Sequence, residues 1–288
     1  MAPTTKRPTP LIFVSHGSTM MLGEQSVVSD DWERQGRNAE RRGIKGIVIL
    51  GAHWEFPGEN LVHVSIKKNP GMNPIAWVAP QKYINFQLNC DEALGRRVWK
   101  ILEEGGVDVV LNDKDDWVHD SVIPLKWMFP QACPPTTLIS LNTKYNPTFH
   151  ARLGQILSVL RDDDILLLGT GGAVHNLYRN RWPNIIIYRN NFAQPVPPKK
   201  WALEFRQAFV DVMTKSPEAD EDGSVKVKEG ATRLMHHPLF RDAHGTDDHY
   251  MSVCFIAGAA REGEKGARTS EVWELENMCN AQFQIGEW

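Results

Sequence analysis

Three stretches of this chain are apolar at every position yet too short to be helices: Leu11–Val14, Ile47–Leu50 and Ile165–Leu168. Successive side chains of a strand point to opposite faces, so an unbroken apolar run needs cover on both sides of its sheet. Amphipathic helical patterns lie between these runs. One is "DDWERQGRNAERRG" (30–43), with Gly43 as its stop, and another is "CDEALGRRVWKILEEGG" (90–106), with Asp91 near its start. A third, "PTFHARLGQILSVLRD" (147–162), begins at Pro147. "VDVVLN" (107–112) and "TTLISLN" (136–142) read as further strands, "NLVHVSIK" (60–67) alternates weakly, and "SVIPLKWMFP" (121–130) opens like a helix. "CNAQFQIGEW" (279–288) reads as a closing strand with Ala281, Phe283 and Ile285 on one face. Buried strands alternating with helices predict an α/β protein in one domain, its central, largely parallel or mixed sheet flanked by helices.

The predicted boundaries are a flexible tail over 1–10, which carries three prolines, and a single catalytic domain over 11–288. Residues 191–228 are polar and at most helical, with an acidic loop at 217–224. A net charge of −3 gives no electrostatic footprint for nucleic acid. The cations Arg34, Arg37, Arg41, Arg42 and Lys45 are interleaved with Glu33 and Glu40, as on a solvated helix face. No apolar stretch approaches the about 20 residues that span a bilayer, and four apolar residues near the start are too few for a secretion signal. Four dispersed cysteines without a CxxC spacing argue against a zinc–thiolate site or a disulfide framework. The expectation is a cytoplasmic protein with neither a nucleic-acid nor a membrane partner, its oligomeric state open between monomer and dimer.

The histidines fall in a pattern. His16 ends the first apolar run, His53 ends the second, and His175 follows the third after Gly169-Thr170-Gly171-Gly172. The C-terminal ends of parallel strands open on one edge, where ligands bind, so these imidazoles are expected to converge there. His119 is placed in the loop after Val107–Leu111 on the same edge, and His249 in the first turn of a helix that Thr246 caps. Convergent neutral imidazoles suit a divalent transition metal. Each histidine taken alone is equally a core or capping residue. The glycine turn lacks the third glycine of a dinucleotide loop, Val174 standing there, and no acidic partner follows at the required distance. Asp247 and Asp248 either offset the charge of a helix N-terminus or substitute as carboxylate ligands.

Five segments, taken in order, resemble the class III extradiol ring-cleavage dioxygenases of the LigB type, specifically the single-chain DOPA 4,5-dioxygenase group. The family's Gly-His-Gly-Ser-Pro-Met is similar to Ser15-His16-Gly17-Ser18-Thr19-Met20, and its Ser-Ala-His-Trp to Gly51-Ala52-His53-Trp54. Its Asp-His-Gly-x-Trp-x-Pro-Leu is matched in part by Val118–Leu125, and its Gly-Ser-Gly-x-x-x-His-Asn-Leu by Gly169–Leu177. Its Ala-His-Pro-x-Glu-Glu-His is similar to Ala243-His244-Gly245-Thr246-Asp247-Asp248-His249. The set spans residues 11 to about 260.

The resemblance implies His16, His53 and His249 as metal ligands, His175 as an acid/base group, and His119 as a pocket residue orienting substrate or oxygen. It implies Fe(II) as the active metal, a small aromatic diol as substrate and O₂ as co-substrate. Zn(II) would occupy such a site without activating oxygen. Trp54, Ser18, Asp120 and His244 are candidate substrate-binding residues. Thr19, Val118, Asp120, Val122 and Gly245 depart from the family pattern, and Asn69–Pro74 replaces a family loop that encloses substrate. The metal centre therefore follows the family more closely than the substrate shell does. Two alternatives stand beside this reading: the same scaffold with an altered reaction, C–C cleavage or hydrolysis of a non-catechol, and a zinc-binding protein without turnover.

Overall fold

A computed structural model describes residues 7–214 and 226–288. Among these residues, one mixed sheet of eight strands is flanked by nine α-helices. The strands are β1 (Leu11–Ser15), β2 (Gly46–Phe56), β3 (Leu61–Ser65), β4 (Asp108–Asn112), β5 (Thr136–Asn142), β6 (Ile165–Gly171), β7 (Gly266–Glu274) and β8 (Met278–Ile285). The order across the sheet is β4-β3-β5-β2-β6-β1-β8-β7. The central block β5-β2-β6-β1 is parallel, whereas β8 runs against β1, and β3 against β5.

The apolar runs behave as their composition requires. Leu11, Phe13, Val48, Leu50, Ile165 and Leu167 enter one core. Their neighbours Ile12, Val14, Ile47, Ile49, Leu166 and Leu168 enter a second core on the opposite face. The first core is covered by α2 (Glu92–Glu104), α4 (Pro147–Leu157), α6 (Lys200–Met213), α7 (Lys226–Leu234) and α9 (Asp248–Ala259). The second is covered by α1 (Val27–Arg42) and α3 (His119–Met128). Two short helices, α5 (Pro183–Tyr188) and α8 (Phe240–Ala243), complete the set.

Helix α1 starts three residues before the sequence pattern suggests, because Ser26 and Ser29 form a reciprocal capping box. It stops at Gly43 in the left-handed conformation, as expected. Asp91 accepts from the Leu94 N–H to cap α2. The C-terminal segment forms two strands, not one. β8 sends Ala281, Phe283 and Ile285 into the first core, while β7 is an edge strand whose half-exposed side chains carry no apolar signal. Within the segment expected to form a loose tail, Thr9 is fully buried, its N–H donates to the Arg161 carbonyl and its carbonyl accepts from the Arg161 guanidinium, so the chain is anchored from there. Residues 1–6 of that tail and the acidic loop at 217–224 lie outside the described residues. The stretch between 191 and 228 includes α6, whose Phe205 and Phe209 are core residues. No helix among the described residues is long and apolar enough to cross a membrane.

Candidate metal centre

Five imidazoles meet beyond the C-terminal edge of the parallel block. The His16 ring centre lies 5.7 Å from that of His53, 5.7 Å from His119, 5.1 Å from His249 and 6.1 Å from His175. His53 lies 4.5 Å from His119 and 4.7 Å from His249. Imidazoles sharing one ion at about 2.1 Å per nitrogen hold their ring centres about 5 Å apart, so these spacings suit a common ligand. One ligand atom from each of His16, His53 and His119 falls within 4.8 Å of the others.

Each ring arrives by its own route. His16 follows directly on β1, and its backbone N–H donates to Gly171 on β6. His53 does not end its strand. β2 continues to Phe56, and its register with β5 slips between Leu50 and Glu55, which sets His53 within the irregular stretch. His119 is not in a strand-end loop of the parallel block either. Its preceding strand β4 runs against that block, and His119 reaches the edge as the first residue of α3. His249 lies in the first turn of α9, where Asp247, not Thr246, occupies the capping position. Thr246 instead donates to Asp248 (2.6 Å).

The glycine turn seats this last helix. A side chain on Gly171 would collide with the carbonyl oxygen of His249, so only glycine lets α9 settle on the end of β6.

Hydrogen bonds set the tautomers of two rings. The Thr170 hydroxyl donates its one hydrogen to the Asp120 carbonyl (2.8 Å) and therefore accepts from Nδ1–H of His16 (3.0 Å). The Nε2 lone pair of His16 is thus free, and that atom is buried without a partner. The Asp248 carboxylate accepts from Nδ1 of His249 (3.0 Å), and His249 Nε2 is likewise buried without a partner. A carboxylate or hydroxyl behind an imidazole is the usual support of a metal-ligating histidine. His175 stacks face to face on His249 at 3.8 Å, and its Nδ1 has no partner.

The electrostatics favour neutral rings. Burial first, then the surrounding imidazoles, drive His16 and His175 far below the ordinary histidine range. Close packing among the other rings desolvates His53 and brings it down to about 4, although one side of the residue still reaches solvent, and burial lowers His119; Asp120 opposes the change in both. Burial pushes the Asp248 carboxyl up, but its bonds to His249 and Thr246 outweigh this and hold it below the usual carboxylate range. His16 is fully buried whereas His53 is exposed, so the cluster opens to solvent on one side.

The expected substrate residues are placed less uniformly. Asp120 braces the backbone beside the cluster. It is buried, and its Oδ2 accepts from the N–H groups of Ala52 (2.6 Å) and His53 (2.9 Å), bracing the irregular stretch of β2. His244 stands apart from the ring of imidazoles. Fully buried among Phe240, Phe205 and Tyr250, it bonds the Ala173 carbonyl through Nε2, and burial brings it down to about 3. Ser18 commits its hydroxyl to Glu274 (2.6 Å). Trp54 donates from its indole to Asp115 (3.0 Å) and packs edge-on against Phe56. The sequence reading passed over Thr170, Glu274 and the orienting role of Asp248. Thr170 shows only as a polar residue in an apolar stretch, and Glu274 and Asp248 lie among other polar residues without even that signal.

The comparisons agree with this geometry. A solved structure of uncharacterized protein JW3007 from Escherichia coli K12 superposes with a TM-score of 0.74 at 22% identity, covering 96% of this chain and 100% of that one. The 4,5-DOPA dioxygenase extradiol of Escherichia coli (strain K12) is 24% identical over 96% of this chain and 94% of its own length. The protein of the same name from Portulaca grandiflora is 25% identical over 95% and 94%. Dioxygenase tasH from Hapsidospora irregularis is 26% identical over 89% and 79%. The family model described as the catalytic LigB subunit of aromatic ring-opening dioxygenase matches residues 10–285. With nearly its whole length matched, and with a cluster of imidazoles suited to the metal on which these enzymes depend, the chain belongs to the LigB dioxygenase family.

Proposed function

We propose that this protein is a non-haem Fe(II)-dependent extradiol dioxygenase that opens the ring of a catechol-type aromatic with O₂. The observation that carries the reading is the pair of buried, unpartnered Nε2 atoms of His16 and His249, next to the exposed ring of His53. A buried acceptor without a donor costs about 1–3 kcal/mol, and a cation bound between the rings removes that cost. Relatives named for 4,5-extradiol action on DOPA support a vicinal diol as the substrate class.

In this reading His16, His53 and His249 hold the ion. Bound there, Fe(II) supplies the chelation of the two diol oxygens and the electron transfer to O₂ that redox-inert Zn(II) cannot. His175, kept neutral by burial and stacked on His249, takes a proton from the diol and returns one to the product oxygen. His119 flanks His53 and orients the substrate or oxygen. The exposure of His53 supports an open, catalytic centre over a closed structural one.

One observation favours a second ligand set. The donor atoms that cluster within 4.8 Å are those of His16, His53 and His119, which makes His119 the rival of His249 as third ligand. The test of the activity is anaerobic reconstitution with Fe(II), followed by a panel of catechols with oxygen uptake and absorbance recorded together. The expected result is a yellow ring-opened product formed with one O₂ consumed per ring. Bound iron with neither signal across the panel would refute the ring-opening assignment and favour an altered reaction on the same scaffold.

A further inference from the structure

The last strand pair reaches back to the turn that follows His16. Glu274, at the end of β7, is fully buried, and four donors converge on its carboxylate. The Ser18 N–H (2.9 Å) and Asn280 Nδ2 (2.6 Å) donate to Oε2, while the Ser18 hydroxyl (2.6 Å) and Asn191 Nδ2 donate to Oε1. A side chain that only accepts suits four donors, which is the ionised carboxylate. Burial nevertheless pushes its carboxyl upward, since among the described residues no Lys, Arg or His pairs with it. A buried anion without a cationic partner is costly unless another positive charge lies near.

The support of this carboxylate is rigid. The turn after it holds Leu275 and Glu276 at φ +52° and +74°, the left-handed region that side chains disfavour. The Leu275 N–H donates to Asn191, and the Leu275 carbonyl accepts from Arg181, both at 2.9 Å, which fixes that conformation. On the other side, Gly17 has φ +66°, and a side chain there would collide with the Glu274 carboxylate. The glycine after His16 is thus required by the clamp as well as by the turn.

We propose that Glu274 is a positioning residue of the metal centre: its clamp fixes the Gly17–Ser18 turn so that His16 Nε2 faces the ion. This inference rests on His16 being a metal ligand. The test is calorimetric titration of Zn(II) into the metal-free chain, with Co(II) absorption spectra of the loaded protein as a second readout. Glu274→Gln is expected to weaken Zn(II) binding about 10–100-fold, the usual effect of removing an outer support, and to displace the Co(II) band. Ser18→Ala keeps the charge, cuts one of the four bonds, and is expected to weaken binding roughly threefold to tenfold. Binding within twofold of the parent in both variants, with an unshifted Co(II) band, overturns the proposal. If Glu274→Gln does not fold, Ser18→Ala decides by the same two outcomes. A parent chain that takes up no metal, or a His53→Ala chain that binds like the parent, overturns the metal centre itself and this inference with it.

Discussion

Replacing Thr170 by valine removes one hydroxyl from a fully buried site and tests the wiring of the whole centre. That hydroxyl serves two groups. It donates to the Asp120 carbonyl, which its own helix cannot satisfy, because the residue four positions on is Pro124 and has no N–H. It also accepts from Nδ1–H of His16. Valine fills the same space and strands both partners. At about 1–3 kcal/mol for each buried group left unpaired, the expected loss is about 2–6 kcal/mol of folding stability, read by urea denaturation of the metal-free chain. His16 can recover part of this by moving its proton to Nε2, but that tautomer has no lone pair for an ion. Zn(II) affinity, measured by calorimetry, should therefore fall about 10–100-fold. Thr170→Ser keeps the hydroxyl and should stay near the parent in both measurements. The reasoning fails if the valine variant unfolds within about 0.5 kcal/mol of the parent and binds Zn(II) equally well, since losses below that size are ordinary for surface changes.

Other substitutions separate the roles of the remaining rings. His53→Ala should empty the site, whereas His175→Ala should keep its metal, measured by elemental analysis, while turnover drops by roughly two to four orders of magnitude; lost metal in the second variant would make His175 a ligand. Comparing His249→Ala with His119→Ala identifies the third ligand: the variant that fails to retain metal names it, and His249 is expected to be that residue. His150 supplies a pH dependence away from the site. Burial holds it at about 4, with its ring bonded to the Asn146 carbonyl and the Asn142 N–H. Its native pKa lies below the unfolded value near 6.5, so its contribution is complete above pH 6.5 and is lost as pH falls toward 4. Denaturation of His150→Gln should show a dependence on pH over that window flatter by about 3 kcal/mol, and an unchanged slope would contradict the assignment.

What could be read in the sequence was whatever a short apolar run encodes. Leu11–Val14, Ile47–Leu50 and Ile165–Leu168 carry cover on both faces in their composition, and their shared parallel sense follows from the helices between them. That was enough to bring His16, His53 and His175 to one edge. His119 shows where such reasoning ends. Its preceding strand looks like the others, but β3 and β4 run against the block, a reversal set by pairing across the sheet that no local pattern records. β7 escaped notice because an edge strand buries only part of itself. Asp120 was readable as a candidate substrate residue, but its carboxylate is engaged by two backbone N–H groups about seventy residues earlier in the chain.

The two rings with settled tautomers reach the same state by unrelated means, a threonine hydroxyl behind His16 and an aspartate behind His249. Each device engages Nδ1 and leaves Nε2 buried without a partner, beside three further imidazoles whose pKa values are lowered. A core built for packing alone gains nothing from this. It would satisfy both nitrogens of a buried ring, as it does for His150, which bonds the Asn146 carbonyl and the Asn142 N–H. The contrast lies within a single molecule and under one set of packing constraints. Where His150 serves the fold both of its nitrogens are bonded, whereas at His16 and His249 a buried Nε2 is left without a partner, a cost that a bound cation would offset.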